Sequence, residues 1–164
     1  MTTDSMTSKN KHILETFYSA FQRRDGETMA DCYHPQAQFE DAVFKLEGAR
    51  VGAMWKMLCQ NGKDLVIEFS ELTANETSGS AHWTARYTFS RTGRKVTNRV
   101  VATFEFKDGK ILRHKDQFSF WKWASQALGP MGILLGWSQA VKGQVQSVAA
   151  KNLEQFVMKQ SLRE

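Results

Sequence analysis

Asp41, His114 and Asp116 are the residues of this sequence whose types and neighbours suit them to moving a proton. Side chains along a strand alternate between two faces. In the run from Arg113 to Phe120, alternation puts Arg113, Lys115, Gln117 and Ser119 on one face and His114, Asp116, Phe118 and Phe120 on the other. The first set belongs in water. His114 and Asp116 are therefore assigned to the apolar face, where a histidine and a carboxylate need partners. In Phe39-Glu40-Asp41-Ala42-Val43 the odd positions form the apolar set and include Asp41, while Glu40 points to water. A carboxylate among Phe39, Trp55 and Phe118 loses hydration, so its pKa rises and it becomes a general base near neutral pH. Each residue also has a purely structural role to weigh. Asp41 would cap a turn or pair with a basic side chain, and Asp116 would orient His114 as a satisfied core histidine.

The same alternation defines a pocket around these groups. Between Ala81 and Ser90 it directs Trp83, Ala85, Tyr87 and Phe89 inward and His82, Thr84, Arg86 and Thr88 outward. Between Arg99 and Phe106 it directs Val100, Ala102, Phe104 and Phe106 inward. An aromatic and aliphatic face with a few polar groups has the composition of a small-molecule site. The ligand contacts expected from it are Tyr18, Trp55, Trp83, Tyr87, Phe118 and Phe120, with ordinary core packing as the competing role. Five Trp and eleven Phe are more than a minimal core requires. Four dispersed histidines, and Cys32 and Cys59 without metal or redox spacing, give no reason to expect a metal or a cofactor. The two cysteines read as reduced thiols.

Ile13, Leu14, Phe17, Tyr18 and Phe21 recur at helical spacing and predict a first helix ending near Arg24. A short second helix, with Met29, Cys32 and Tyr33 inward, stops at His34-Pro35 because proline disfavours helix in the residue before it. A strand follows around Ala37 to Val43, then a third helix from Gly48 to Gln60 carrying Val51, Met54, Trp55 and Leu58 on one side. From Leu65 to Trp123 the pattern predicts four long strands, turning at Asn75 to Gly79, Thr92-Gly93 and Asp108-Gly109. Helices followed by an antiparallel meander make an α+β domain with the sheet curled around the first helix. Gly129-Pro130-Met131-Gly132 reads as a turn or lid hinge. Beyond it Ser138 caps an amphipathic helix bearing Val141, Val145, Val148 and Phe156. This segment either covers the mouth of the fold or binds a second subunit. The expected divisions are a disordered stretch at 1–8, a domain at 9–123 and a helical extension at 124–164.

The net charge of +5 comes from 22 basic residues scattered among 17 acidic ones, with no basic run, so nucleic acid is not an expected partner. Arg91, Arg94 and Lys95 look like a solvated hairpin tip. The polar start lacks the apolar core of a signal peptide, and no stretch reaches the roughly 20 apolar residues of a membrane span. A cytoplasmic protein without a membrane partner is the reading.

The passage Tyr33-His34-Pro35-Gln36-Ala37-Gln38-Phe39-Glu40-Asp41, followed by Gly48 at the third helix, resembles the ketosteroid isomerase and SnoaL-like branch of the nuclear transport factor 2-like superfamily. The resemblance covers residues 10–123. It implies a cone-shaped fold, a curved antiparallel sheet wrapped around N-terminal helices, with the C-terminal helical segment added, an apolar small-molecule partner and a homodimer. It sets Asp41 where ketosteroid isomerases carry their proton-shuttling aspartate. It also puts Phe17 at the place of the oxyanion-hole tyrosine and Ala102 at that of the second aspartate. An oxyanion donor is worth about 3 kcal/mol in the barrier. Steroid isomerisation by that arrangement is therefore not expected, unless His114 or Tyr18 supplies the donor. SnoaL-like cyclases are similar in using an acid and a histidine, a pattern that Asp116 and His114 fit. The superfamily's epoxide hydrolases need an inward arginine, whereas Arg86 and Arg99 point outward. These features imply an isomerase-like or cyclase-like enzyme acting on a carbonyl compound. The alternatives are a non-catalytic binding protein for an apolar metabolite and an assembly module built on the C-terminal segment.

Overall fold

Helix α1 (Thr3–Gln22) buries Leu14, Phe17, Tyr18 and Phe21, the positions marked by their helical spacing. The structure is a computed structural model and describes residues 2–164. Met1, the first residue of the stretch expected to be disordered, lies outside the described residues, and Thr3 to Ser8 are helical. Asp4 in the first turn complements the positive end of the helix dipole. Arg24 then takes a left-handed conformation at φ 57°. Asp25 caps α2 (Gly26–Asp31), its carboxylate accepting the Thr28 amide at 3.1 Å.

Strand β1 (Tyr33–Glu40) begins earlier than proline chemistry suggests and takes Tyr33 from the second helix. Pro35 is tolerated because the pairing register shifts between Tyr33 and Gln38, so its missing N–H falls at an irregularity in the ladder. β1 also ends at Glu40 rather than Val43, and a short strand that periodicity did not disclose, β2 (Lys45–Glu47), pairs back onto it. Helix α3 (Ala49–Asn61) follows, opened by Gly48 at φ 61°. The meander is β3 (Val66–Ala74), β4 (Ser78–Phe89), β5 (Arg94–Lys107) and β6 (Lys110–Gln117), with the three expected turns between them. The last of these is built on Asp108 and Gly109, both at positive φ.

The six strands run β2-β1-β6-β5-β4-β3 in one curved, unclosed sheet. It is mixed rather than purely antiparallel, because β1 lies parallel to β6. The chain needs α3 and the whole meander to return beside β1, which is the long crossover that parallel neighbours demand. The inward sets of β4, β5 and β6 pack against α1 and α3 around Phe17, Tyr18, Trp55 and Phe104, while Arg113, Lys115 and Gln117 are exposed as alternation predicts. Cys32 and Cys59 are buried and unpaired, and burial pushes both thiols up to about 11.

The last strand stops at Gln117, not Trp123. Ser119 accepts the Lys122 amide at 3.3 Å and starts α4 (Phe120–Ala127), so strand alternation does not reach Phe118 or Phe120. Helix α5 (Pro130–Leu135) is followed by α6 (Gln139–Ser161), capped by Ser138 onto the Val141 amide at 3.2 Å. α6 buries Leu153 and crosses α3, and Gln146 donates to the Ala42 carbonyl at 3.0 Å. No helix among the described residues is long and apolar enough to cross a membrane.

Candidate functional site

A continuous chain of hydrogen bonds runs through the interior beneath the sheet. Trp55 Nε1 donates to the Tyr33 hydroxyl at 2.8 Å, and that hydroxyl lies 2.7 Å from His114 Nδ1. On the other side of the imidazole, His114 Nε2 lies 2.8 Å from Asp116 Oδ1, which also accepts Trp83 Nε1 at 3.3 Å. An indole N–H only donates, so the Tyr33 oxygen is the acceptor toward Trp55 and its hydrogen is free for His114. A carboxylate oxygen accepts, so Nε2 carries the hydrogen donated to Asp116, and Nδ1 of the neutral ring accepts the Tyr33 hydroxyl hydrogen. This chain therefore sets the histidine's tautomer without a backbone contact. The ring is held between Trp55, nearly parallel at 6.0 Å, and Phe104 at 4.3 Å. His114 is 2% exposed and Asp116 3%.

Asp41 reaches the same region from the end of β1. The last parallel pairs are Phe39 with His114 and Glu40 with Lys115, so the next step along both strands brings Asp41 beside Asp116 on the inward face. Its backbone N–H donates to the Phe44 carbonyl at 2.9 Å. Its Oδ1 accepts the Val43 and Phe44 amides, both at 2.7 Å, which makes it the organising acceptor of the β1–β2 turn. Burial raises the Asp41 pKa from 3.8 to about 6; the two amides oppose the rise, the Asp116 charge adds to it, and His114 works against it.

Both carboxylates line a cavity of about 600 Å³. Its aromatic wall is Trp55, Trp83, Tyr87, Phe118 and Trp123. Val141, Val145 and Val148 of α6 add an aliphatic side, so the C-terminal helix helps to enclose the space. Asp116 Oδ1 is taken by two N–H groups, and among the described residues neither Asp116 Oδ2 nor Asp41 Oδ2 has a hydrogen-bond partner. The Tyr87 oxygen accepts Trp123 Nε1 at 2.8 Å, which leaves the phenolic hydrogen available to an acceptor in the cavity. Among the described residues, no three His, Cys, Asp or Glu side chains gather as a metal would require.

Of the residues singled out from sequence, Asp41, Asp116, Trp55, Trp83, Tyr87 and Phe118 line this cavity. His114 is not among the residues that line it and touches it only by way of Asp116, to which its Nε2 is bonded. Tyr18 lies in the core, stacked on Phe69 at 5.3 Å with its hydroxyl unpartnered, and burial pushes its pKa well above the usual phenol value. Phe120 stacks on Trp123 at 5.6 Å behind the wall. Phe17 packs edge-on against His114, and Ala102 pairs with Asp116 across the sheet. Neither can donate a hydrogen bond. Arg86 and Arg99 are exposed. Sequence reasoning missed Tyr33 and Trp123. Helical spacing puts Tyr33 inward, but on the second helix, so its place beside His114 on β1 was not visible.

Comparison with known proteins agrees with this architecture. A candidate polyketide cyclase from Xanthomonas campestris pv. campestris superposes with a TM-score of 0.63 at 17% identity, over 74% of this chain and 98% of its own. A candidate SnoaL-like polyketide cyclase from Jannaschia sp. CCS1 gives 0.66 at 11% identity, over 76% and 95%. An LEH-like epoxide hydrolase from M. tuberculosis gives 0.60 at 19% identity, over 79% and 96%. Such identities speak for the fold alone. No curated protein matches the sequence closely. The SnoaL-like domain matches residues 14–114, which run from Leu14 within α1 to His114 of β6, and the chain therefore belongs to the SnoaL-like family of the nuclear transport factor 2-like superfamily.

Proposed function

We propose that this protein binds a small apolar carbonyl compound in the cavity and moves a proton on it by general acid–base catalysis, with Asp41 as the base. The observation that carries this reading is the pair of carboxylates opening on one otherwise apolar cavity, with the proton affinity of Asp41 lifted to about 6. Asp41 Oδ2 takes a proton from the carbon next to the carbonyl, and the C–H electrons move onto the carbonyl oxygen as an enolate. The Tyr87 hydroxyl donates to that oxygen. Return of the proton to another carbon completes an isomerisation; alternatively the enolate carbon attacks a second carbonyl, whose π electrons move onto its oxygen, and that alkoxide takes the proton back from Asp41 as the ring closes. Asp116 is the polarising partner, oriented by the positioning residue His114; burial, with a smaller addition from the Asp116 charge, keeps Asp41 basic enough to hold the proton between steps. Candidate cyclases among the structural neighbours favour this class of chemistry.

A second reading, a binding protein without turnover, draws on a different feature. Asp41 Oδ1 has the bonding of a turn cap, and His114 is closed off from the cavity. Deuterium uptake from heavy water into a panel of enones and β-diketones separates the two. Exchange by wild type that disappears in Asp41→Asn, with ligand binding retained, supports catalysis. Binding of the same compounds with no exchange by either protein supports the second reading.

A further inference from the structure

Helix α5 is packed inside out for a soluble protein. It turns its smallest residues inward: a methyl at Gly132 would overlap the Ala124 carbonyl of α4, and Gly136 faces the Ala124 side chain. Its large residues face out. Met131, Ile133, Leu134 and Leu135 are 59%, 53%, 69% and 47% exposed, and Trp137 just beyond the helix is 73% exposed. Trp121, 44% exposed, joins the patch through its indole bond to the Ile133 carbonyl at 3.2 Å. Contiguous apolar surface of this kind marks an interaction site.

The charges around the patch indicate its partner. Between Asp116 and Glu154 the sequence has no acid, while Lys122 and Lys142 are basic. The β4–β5 hairpin carrying Arg91 and Arg94 is fastened to the same corner: Arg94 Nε donates to the Gln126 carbonyl at 2.8 Å and Thr92 to the Ala127 carbonyl at 2.5 Å. A second copy related by a two-fold axis would set one predominantly basic rim, on which Asp64 is bonded to Thr88, against another. An anionic lipid surface complements the rim, and exposed tryptophans beside a short aliphatic helix suit the headgroup boundary.

We propose that α5 docks this protein on anionic lipid bilayers, inserting Ile133, Leu134 and Trp137 under a collar of basic residues. Met131 and Arg91 both line the cavity, so the docked face includes its rim, and an apolar ligand dissolved in the bilayer has a short path inward. The test reads binding alone and is independent of the proposed chemistry.

Sedimentation with vesicles of phosphatidylcholine, pure or mixed equally with phosphatidylserine, measures the docking. Wild type is expected to pellet with the mixed vesicles, not with the pure ones, and to be released by high salt. Lys122→Ala and Arg91→Ala should each weaken partition about fivefold, and Leu134→Ser with Trp137→Ser by at least about tenfold. These side chains are exposed, and thermal melts of the variants check that folding is intact. No pelleting with anionic vesicles overturns the proposal. So does a Leu134→Ser and Trp137→Ser protein that binds vesicles like wild type, or one that converts a dimer to a monomer in sedimentation velocity while vesicle binding is unchanged; the last result assigns the patch to a second copy.

Discussion

His114 Nε2 lies 2.8 Å from Asp116 Oδ1, and this contact decides which nitrogen of His114 bears a hydrogen. A carboxylate oxygen accepts, so Nε2 faces Asp116 as the donor, and Nδ1 of the neutral ring takes the hydrogen of the Tyr33 hydroxyl, whose oxygen accepts Trp55 Nε1 at 2.8 Å. Nitrogen-15 NMR of neutral His114 should therefore report the Nε2–H tautomer. Tyr33→Phe leaves the Trp55 N–H and His114 Nδ1 unpaired in the core, and should cost about 2–4 kcal/mol in urea unfolding. The variant should keep the Nε2–H tautomer, because Asp116 still accepts that hydrogen. An Nδ1–H tautomer in wild type, or unchanged stability in the variant, would count against the relay.

Asp41 gives a pH dependence of defined sign. Its folded pKa, about 6, lies above the ordinary 3.8. Below the ordinary value both folded and unfolded states hold the proton and there is no penalty. As pH rises through about 6 the folded state must give up a proton it retains more tightly than the unfolded chain, so stability falls. Asp41→Asn keeps an oxygen for the Val43 and Phe44 amides but has no charge to bury. It should be about 2–3 kcal/mol more stable than wild type near pH 8 and no more stable near pH 4. Denaturant melts at the two pH values check this, and equal differences at both would refute the buried-charge account.

Asp116→Asn bears on the coupling between the carboxylates. The amide oxygen still accepts His114 Nε2 and Trp83 Nε1, but the charge that adds to the burial-driven rise of the Asp41 pKa is gone. If the protein exchanges carbon-bound protons, the pH midpoint of exchange should lie near 6 in wild type and move lower in Asp116→Asn. A midpoint that stays fixed would mean the two groups do not feel each other.

Val148→Trp fills the cavity from α6 without touching either carboxylate. Binding of an apolar fluorophore should fall by at least about tenfold, as pocket binding depends on apolar area that the new ring occupies, while the far-ultraviolet circular dichroism stays unchanged. Retained binding would place the ligand elsewhere.

Period-two alternation was enough to assign the inward faces of β4, β5 and β6, because each of those strands has one wet and one buried side. It failed past Gln117, where the Ser119 cap starts a helix that an aromatic run alone does not announce. Proline at position 35 suggested a boundary that the structure does not have, since a register shift absorbs the missing donor. The C-terminal segment was legible as apolar and helical, but its packing was not, because burying Gly132 while exposing Leu134 inverts the usual amphipathic rule.

The sequence by itself determined the family, the helix spacings of α1 and α3, the three turns of the meander, and the placement of His114 and Asp116 on a buried face. These follow from local periodicity, which needs no knowledge of distant neighbours. Only the tertiary structure decided that β1 lies parallel to β6, bringing Asp41 beside Asp116, and that Tyr33 and Trp55 close on His114. Those contacts join residues from Tyr33 to Asp116 through strand register and helix docking, and nothing in the spacing along one segment encodes the register of another.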